Sequence, residues 1–284
     1  MVKVLSAGLY TTIQDNGRMG YQHYGVPVSG VMDSRAAAIA NALVGNNQDA
    51  AVLEITMSGP KLVFEIDAAI AITGANMKAS INKNRIENNR IISIKKGDVL
   101  RYGTLVSGFR TYLAVSGGFK TNEVLGSKSM YQGITEFRNL KKGDVLNINK
   151  SLTASQKHFA GLKIDDSYLT SSTLEVYQGP EFDRLSEIQK KQLFKNIFTV
   201  SKDNNRMAYQ LKEPFENTLE PILTSSVLPG TVQLTPSGKL IVLMRDCQTT
   251  GGYPRVLQLS EMAINTLAQK FTGDKIKFNL KALL

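Results

Sequence analysis

The chain carries an imperfect copy of itself, and this constrains its fold more than any other feature. Asp15-Asn16-Gly17-Arg18-Met19-Gly20-Tyr21-Gln22 returns as Asp203-Asn204-Asn205-Arg206-Met207-Ala208-Tyr209-Gln210, with two of the eight positions changed. Two weaker matches follow in the same order. Thr56-Met57-Ser58-Gly59 with Lys61-Leu62-Val63 resembles Thr235-Pro236-Ser237-Gly238-Lys239-Leu240-Ile241. Lys96-Gly97-Asp98-Val99-Leu100-Arg101-Tyr102 resembles Thr272-Gly273-Asp274-Lys275-Ile276-Lys277-Phe278. Matches that keep their order predict two related units in tandem. The competing explanation is convergent turn chemistry, because Ser-Gly and Gly-Asp are common turn pairs. The expected division is residues 1–155 and 156–284.

Most of the chain reads as β. Short apolar or alternating runs are punctuated by Gly, Asn and Asp. Such runs span Val52–Thr56, Leu62–Ile66, Ala69–Thr73, Arg110–Val115, Leu174–Tyr177, Thr231–Leu234, Leu240–Met244 and Arg255–Leu259. Gly97-Asp98, Gly143-Asp144 and Gly273-Asp274 each precede an alternating run, which predicts a turn that launches a strand. Three helices are expected. Asp33 caps one with Ala36, Ile39, Ala40, Leu43 and Val44 on one face and Gly45 as the stop. The second covers Glu181–Phe194, and Ser260 caps the third with Ala263, Leu267 and Phe271 inward. Many short strands with few helices predict a mostly β chain of barrels, not a doubly wound sheet. Asn149–Ser172 is polar and poorly patterned, so it reads as linker or loop.

Composition narrows the class. At 284 residues, 42% hydrophobic and 20% charged, the chain has what an ordinary soluble globular protein needs to bury a core. No apolar run approaches the roughly 20 residues of a membrane span, and no signal-peptide core follows Met1. A cytoplasmic location is expected. A net charge of +10 favours an anionic partner, such as a phosphate-bearing ligand or an acidic subunit. The basic residues are dispersed and no nucleic-acid-binding signature appears, so nucleic acid is not expected. Cys247 is the sole cysteine, which rules out an intrachain disulfide. With it stand only two histidines, His23 and His158, so no Cys/His zinc site and no metal are expected.

Familiar catalytic signatures are largely missing. Gly126-Ser127-Lys128-Ser129 lacks the P-loop spacing, although a Lys-Ser cluster can still touch phosphate. Ser116-Gly117-Gly118 imitates a nucleophile elbow but no suitable helix follows. Two polar clusters remain, Thr11–Asp33 and Asp246–Arg255, each mixing hydroxyls, amides, charges and glycine. Glycine permits close backbone approach and polar side chains supply orientation, which suits an amide, carboxylate or phosphoryl oxygen. The alternative is a loop whose side chains satisfy its own backbone. By residue type, Asp15, Arg18, His23 and Asp246 are the catalytic candidates. Gln14, Tyr21, Ser29, Gln248, Thr249, Thr250, Gly251, Gly252, Tyr253 and Arg255 are the candidates for substrate binding.

Thr11 to His23, Gly25 to Asp33 and Gln248 to Pro254 resemble segments of the biotin-dependent carboxyltransferase-like family. That family includes the C-type component of 5-oxoprolinase, a KipA-type antagonist of a sporulation-kinase inhibitor, and a domain of urea carboxylase. Leu53-Glu54-Ile55-Thr56, Thr73-Gly74-Ala75, Tyr112-Leu113-Ala114-Val115 and Gly126-Ser127 extend the likeness over nearly the whole chain. The resemblance implies two tandem cyclophilin-like β-barrel units. It also implies a paired subunit of the oxoprolinase B or KipI type, a third subunit of the A type, and use of ATP by the complex to open the lactam 5-oxoproline to glutamate. Two alternatives stand beside this: a carboxyltransferase acting on a urea-like amide, and a non-enzymatic regulator that binds a histidine-kinase inhibitor. No Met-Lys-Met attachment site occurs, so any biotin arrives on another protein. Cys247 and Lys128 stand where the family usually has arginine, and Ala208 where it usually has glycine. These departures bear on substrate more than on fold.

Overall fold

A computed structural model describes residues 1–149 and 164–281. The expected unit boundary at 155/156 and His158 lie outside these residues. The chain is mostly β with three α-helices among the described residues. It divides into two compact units: Met1–Arg18 with Asp33–Thr170, and Met19–Met32 with Ser171–Leu284.

The first unit holds two antiparallel sheets. Tyr10–Gln14, Val52–Thr56, Ser107–Val115, Ala68–Asn76 and Ile91–Ile94 form a five-stranded sheet in that order. The other sheet has seven strands with Val2–Ser6 and Lys61–Phe64 at its centre. Leu53, Ile55, Ile70, Ile72, Leu113 and Val115 join Val2, Val4, Leu62 and Phe64 in one apolar core. Side chains alternate across a strand, so the residues between them must point to the other face. There Glu54, Tyr112 and Thr73 form one row across three strands, in register. A helix, α1 (Ser34–Leu43), packs over Ser107–Val115 and Ala68–Asn76. Thr73 Oγ1 donates to the Ala36 carbonyl at 2.7 Å. The Tyr112 hydroxyl accepts from Asp33 N–H at 2.8 Å and donates to Glu54 at 2.9 Å. Asp33 caps α1 by accepting from Ala36 N–H, as its sequence predicts.

The second unit is a closed seven-stranded barrel. Its order is Thr173–Gln178, Arg255–Leu259, Thr231–Leu234, Leu240–Leu243, Ala208–Leu211, Phe198–Asn204 and Lys275–Leu280. Closure comes from the parallel pairing of Thr173–Gln178 with Lys275–Leu280; the other barrel pairs are antiparallel. Closure leaves no unpaired edge. Leu174, Val176, Phe198, Tyr209, Val232, Val242, Leu257 and Phe278 fill the interior.

Two helices depart from the sequence expectation. Glu181–Phe194 is not continuous: Phe182–Arg184 is a single 3-10 turn, Leu185 is extended, and α2 starts afresh over Glu187–Lys195. The cause is a capping box, in which Ser186 Oγ accepts from Gln189 N–H and Gln189 Oε1 accepts from Ser186 N–H. The third helix, α3 (Glu261–Ala268), is capped by Ser260 and buries Ala263 and Leu267 as expected. Phe271 lies past its end, in the turn where its N–H donates to Asp274, and is 37% exposed.

All three Gly-Asp turns launch strands, and they are built alike. Gly97, Gly143 and Gly273 adopt φ of 92°, 96° and 96°, a conformation that favours glycine. Asp98, Asp144 and Asp274 each accept a backbone N–H three residues earlier, from Lys95, Lys141 and Phe271. The glycine N–H groups donate to Phe64, Val4 and Val200, whose own N–H groups donate back to the aspartate carbonyls. One local motif therefore docks three times on a neighbouring strand, twice in the first unit and once in the second.

Candidate functional site

The first polar cluster begins at the end of the Tyr10–Gln14 strand. Asp15 follows, and its carboxylate is enclosed by donors. Ser127 Oγ and Ser129 Oγ each donate to Oδ1 at 2.6 Å, Lys128 N–H to Oδ2 at 2.6 Å, and Gly17 N–H to Oδ1 at 2.9 Å. Burial is the largest single influence on this carboxyl and raises its pKa. The hydrogen bonds from Ser127, Ser129, Lys128 and Gly17 together outweigh it, so the net shift is downward. Arg18 is fully buried and donates to the Ser129 carbonyl. Gln14 is also fully buried and donates to Thr12 Oγ1 and the Met130 carbonyl. Gln14, Asp15 and Arg18 thus act together to hold residues 127–130 in place.

What they hold borders a cleft of about 410 Å³, lined by Asp15, Asn46, Asn47, Asp49, Glu123 and Lys128 with Ala50, Gly117 and Gly126. That volume lies in the range of small-molecule sites. Asn46 is committed to the scaffold: it donates to Asn41 and the Val115 carbonyl and accepts from Gly117 N–H. Asn47, Asp49 and Glu123 are exposed and Lys128 is half-buried. Of these lining residues, only Asp15 was a site candidate by its sequence; Lys128 stood out as a departure from the family, and Gly117 and Gly126 only within glycine-containing motifs. Asn47, Asp49 and Glu123 come from ordinary loop sequence that carries no local signal.

The second polar cluster belongs to the second unit. Asp246 is buried and bound by Arg206, with Nε to Oδ2 at 2.8 Å and Nη2 to Oδ1 at 2.9 Å. Arg206 Nη2 also donates to the Gly30 carbonyl at 2.6 Å, and Ser29 N–H donates to the Arg245 carbonyl at 3.0 Å. The two flagged clusters therefore do meet in part: Ser29-Gly30 and Arg245-Asp246 are fastened together through Arg206. The sequence showed Arg206 only as part of the repeat. Ser29 is buried with φ of 59°, so it shapes this turn from within.

Beyond Asp246 the loop opens. Cys247 is buried, and its thiol is pushed up to about 12 by burial and the Asp246 charge, which leaves it unreactive near neutrality. Thr250-Gly251 pairs with Ser225-Ser226. At Gly251 a Cβ would lie 2.6 Å from Gln233 Nε2, the end of a flexible side chain that would have to shift. Gln248, Thr250 and Tyr253 are exposed, and Thr249 and Gly252 are half-buried. Arg255 is engaged: Nε and Nη2 both bind Glu181 and Nη1 donates to the Ser226 carbonyl. The hydrogen bond from Arg255 is the main cause holding the Glu181 carboxyl below its ordinary range. His23 is exposed on the short turn Gln22–Tyr24 and stacks on Tyr24 at 3.9 Å between ring centroids; Tyr21 is half-buried. Among the described residues, no group of three or more His, Cys, Asp or Glu side chains could hold a metal ion.

Comparison with known proteins places these features in a family. The chain is 37% identical to the C-type component of 5-oxoprolinase from Escherichia coli, over 98% of its own length and 90% of that protein. In structure it superposes on K. lactis urea amidolyase with a TM-score of 0.88 at 30% identity, covering 98% of this chain and 18% of that one. It also superposes on TTHA0988 with a TM-score of 0.87 at 29% identity, and spans 55% of that chain's length. The family model for the carboxyltransferase domain, subdomain A and B, matches residues 24–280. With that match over most of its length, the chain belongs to the carboxyltransferase domain family of subdomains A and B.

Proposed function

We propose that this chain is a subunit of an ATP-dependent 5-oxoprolinase, which opens 5-oxoproline to glutamate in complex with B-type and A-type partner subunits in the cytoplasm. The observation that carries this reading is the 37% identity to the C-type component of the E. coli 5-oxoprolinase across nearly the full length of both chains. The chemistry calls for activation of an amide oxygen and delivery of water to the amide carbon. A lactam amide is a poor electrophile; phosphorylating its oxygen from ATP makes the ring carbon open to water, whose addition breaks the C–N bond as the nitrogen takes a proton, and a second water then hydrolyses the acyl phosphate so formed to the ring-opened carboxylate and phosphate. The chain's part is then to orient the lactam and to handle charge and protons.

In this reading the candidate residues divide by what their side chains can reach. His23, Gln248, Thr250 and Tyr253 have exposed side chains that can meet a ligand, with Tyr21 and Thr249 half-exposed beside them. Arg18, Gln14, Asp246 and Arg255 act through what they hold, and so does Asp15, whose oxygens already take four donors. The test is co-expression with neighbouring gene products, followed by assay of ATP hydrolysis and glutamate release from 5-oxoproline. An assembled complex with no 5-oxoproline-dependent turnover overturns the reading.

A second reading is transfer of a carboxyl group from carboxybiotin on a separate carrier to a urea-like amide. It is favoured by the family model and by the likeness to K. lactis urea amidolyase. Carboxylation of urea by this chain with a carboxybiotin carrier, and no 5-oxoproline turnover, would select it.

A further inference from the structure

We infer that the cleft beside Asp15 binds a small amino-acid-like molecule, with its carboxylate on Lys128 and its N–H donors on the acidic rim of Asp49 and Glu123. The inference names a ligand site for the oxoprolinase reading and rests on that reading for the ligand's identity.

Charges of both signs line this cleft without neutralising one another. The Lys128 ammonium forms no ion pair with any described residue, although Asp15, Asp49 and Glu123 line the same cavity. Asp49 and Glu123 are likewise free of described ionic partners. A half-buried lysine normally lays its stem on apolar surface and sends its charge to water or to a carboxylate. Here the backbone of Lys128 is fixed first. Its N–H is bonded to Asp15, and its two neighbours, Ser127 and Ser129, donate their hydroxyls to the same carboxylate.

That fixation separates two roles. The Asp15 charge is spent on four donors inside the chain, so it is a poor acceptor for a ligand. The Lys128 charge is left for an anion, and Asp49 and Glu123 are left for N–H groups. Asn47, exposed on the same wall, adds an amide that can donate or accept. A cleft of about 410 Å³ suits a molecule of amino-acid size. A nucleotide is disfavoured because three carboxylates line the cleft beside a single lysine. 5-Oxoproline carries one carboxylate and one N–H, which matches this charge pattern; glutamate shares the carboxylate and N–H donors but brings a second carboxylate, for which the lining holds no second cation.

The experiment titrates glutamate and 5-oxoproline, with acetate as control, into the purified chain and follows backbone amide shifts. Wild type, Lys128→Gln and the Asp49→Asn, Glu123→Gln pair are compared, and the same variants are assayed in the assembled complex. Lys128→Gln should weaken binding roughly ten- to a hundred-fold, the worth of one charged hydrogen bond. The acidic-rim pair should weaken glutamate more than acetate. KM for 5-oxoproline should rise in the complex with kcat less affected. Shifts confined to residues outside the cleft, or equal affinity in all variants, overturn the inference even when the complex turns over. Binding lost in Lys128→Gln in a chain whose complex never turns over 5-oxoproline keeps the site and removes the oxoprolinase reading. The acidic-rim variant, altered only at exposed side chains, keeps the test decisive if Lys128→Gln folds poorly.

Discussion

Arg18 and Arg206 hold the same place in the two copies of the octapeptide, and both are buried, at 0% and 6% exposure. Their surroundings differ in kind. Arg18 donates to a backbone carbonyl, that of Ser129, whereas Arg206 forms a two-pronged pair with the Asp246 carboxylate and reaches the Gly30 carbonyl as well. The leading aspartates also diverge. Asp15 draws four donors, while in the second copy the turn is held by Asn205, whose side chain accepts from Met207 and Ala208 N–H. The second copy closes the hairpin between Phe198–Asn204 and Ala208–Leu211 inside the barrel; the first leaves the five-stranded sheet and is divided between units after Arg18. Similar octapeptides thus place similar buried arginines, and the tertiary structure decides which groups each one fastens.

The comparison predicts unequal costs. Arg206→Ala leaves Asp246 buried without its counter-charge and should destabilise the second unit by about 3–5 kcal/mol, measured by denaturant unfolding. Pairing Arg206→Met with Asp246→Leu should recover much of that loss. A double variant as unstable as the single one would show that the ion pair is not the source. Next in size is Thr250→Ala, at an exposed hydroxyl on the loop that Arg206 braces. Under the oxoprolinase reading it should lower complex turnover by about 2–4 kcal/mol, roughly 10²- to 10³-fold, with unfolding unchanged. Wild-type turnover would make this loop structural. Arg18→Ala, which loses a charged bond to a carbonyl, should cost about 1.5–3 kcal/mol of stability, less than Arg206→Ala, and should also lower turnover by loosening residues 127–130. A reversed ranking of the two arginines breaks the comparison.

The smallest effect is one of pH. The Asp15 carboxyl sits below its ordinary 3.8 in the folded chain. Its contribution is therefore complete above that value and is lost as pH falls through the lower folded value. Asp15→Asn should flatten the acid limb of a stability-against-pH curve below about pH 4. Equal acid limbs in wild type and Asp15→Asn would remove the charge from the account of this loop.

Much of this protein was legible from its residues because the relevant physics is local. Helix caps at Asp33 and Ser260, the Gly-Asp turns and the strands at Val52–Thr56, Thr231–Leu234 and Arg255–Leu259 depend on neighbours a few positions away. The restart of α2 at Ser186 was also local, but its capping box was hidden inside an otherwise continuous helical pattern. Family membership was legible too, since the polar motifs are long. Other features needed the folded chain. That Thr56–Lys61 carries the chain from one sheet to the other, while its match Thr235–Lys239 turns a hairpin, depends on which strands pair. That Asp15, Arg18 and Asp246 are enclosed while Lys128 is left without an ionic partner depends on residues about 40 to over 100 positions away, with Ser127 and Ser129 lying 112 and 114 positions from Asp15 and Asp246 lying 40 from Arg206. Residue type shows which groups can carry charge. Burial and the competition among donors decide which charge is spent within the chain and which remains for a ligand.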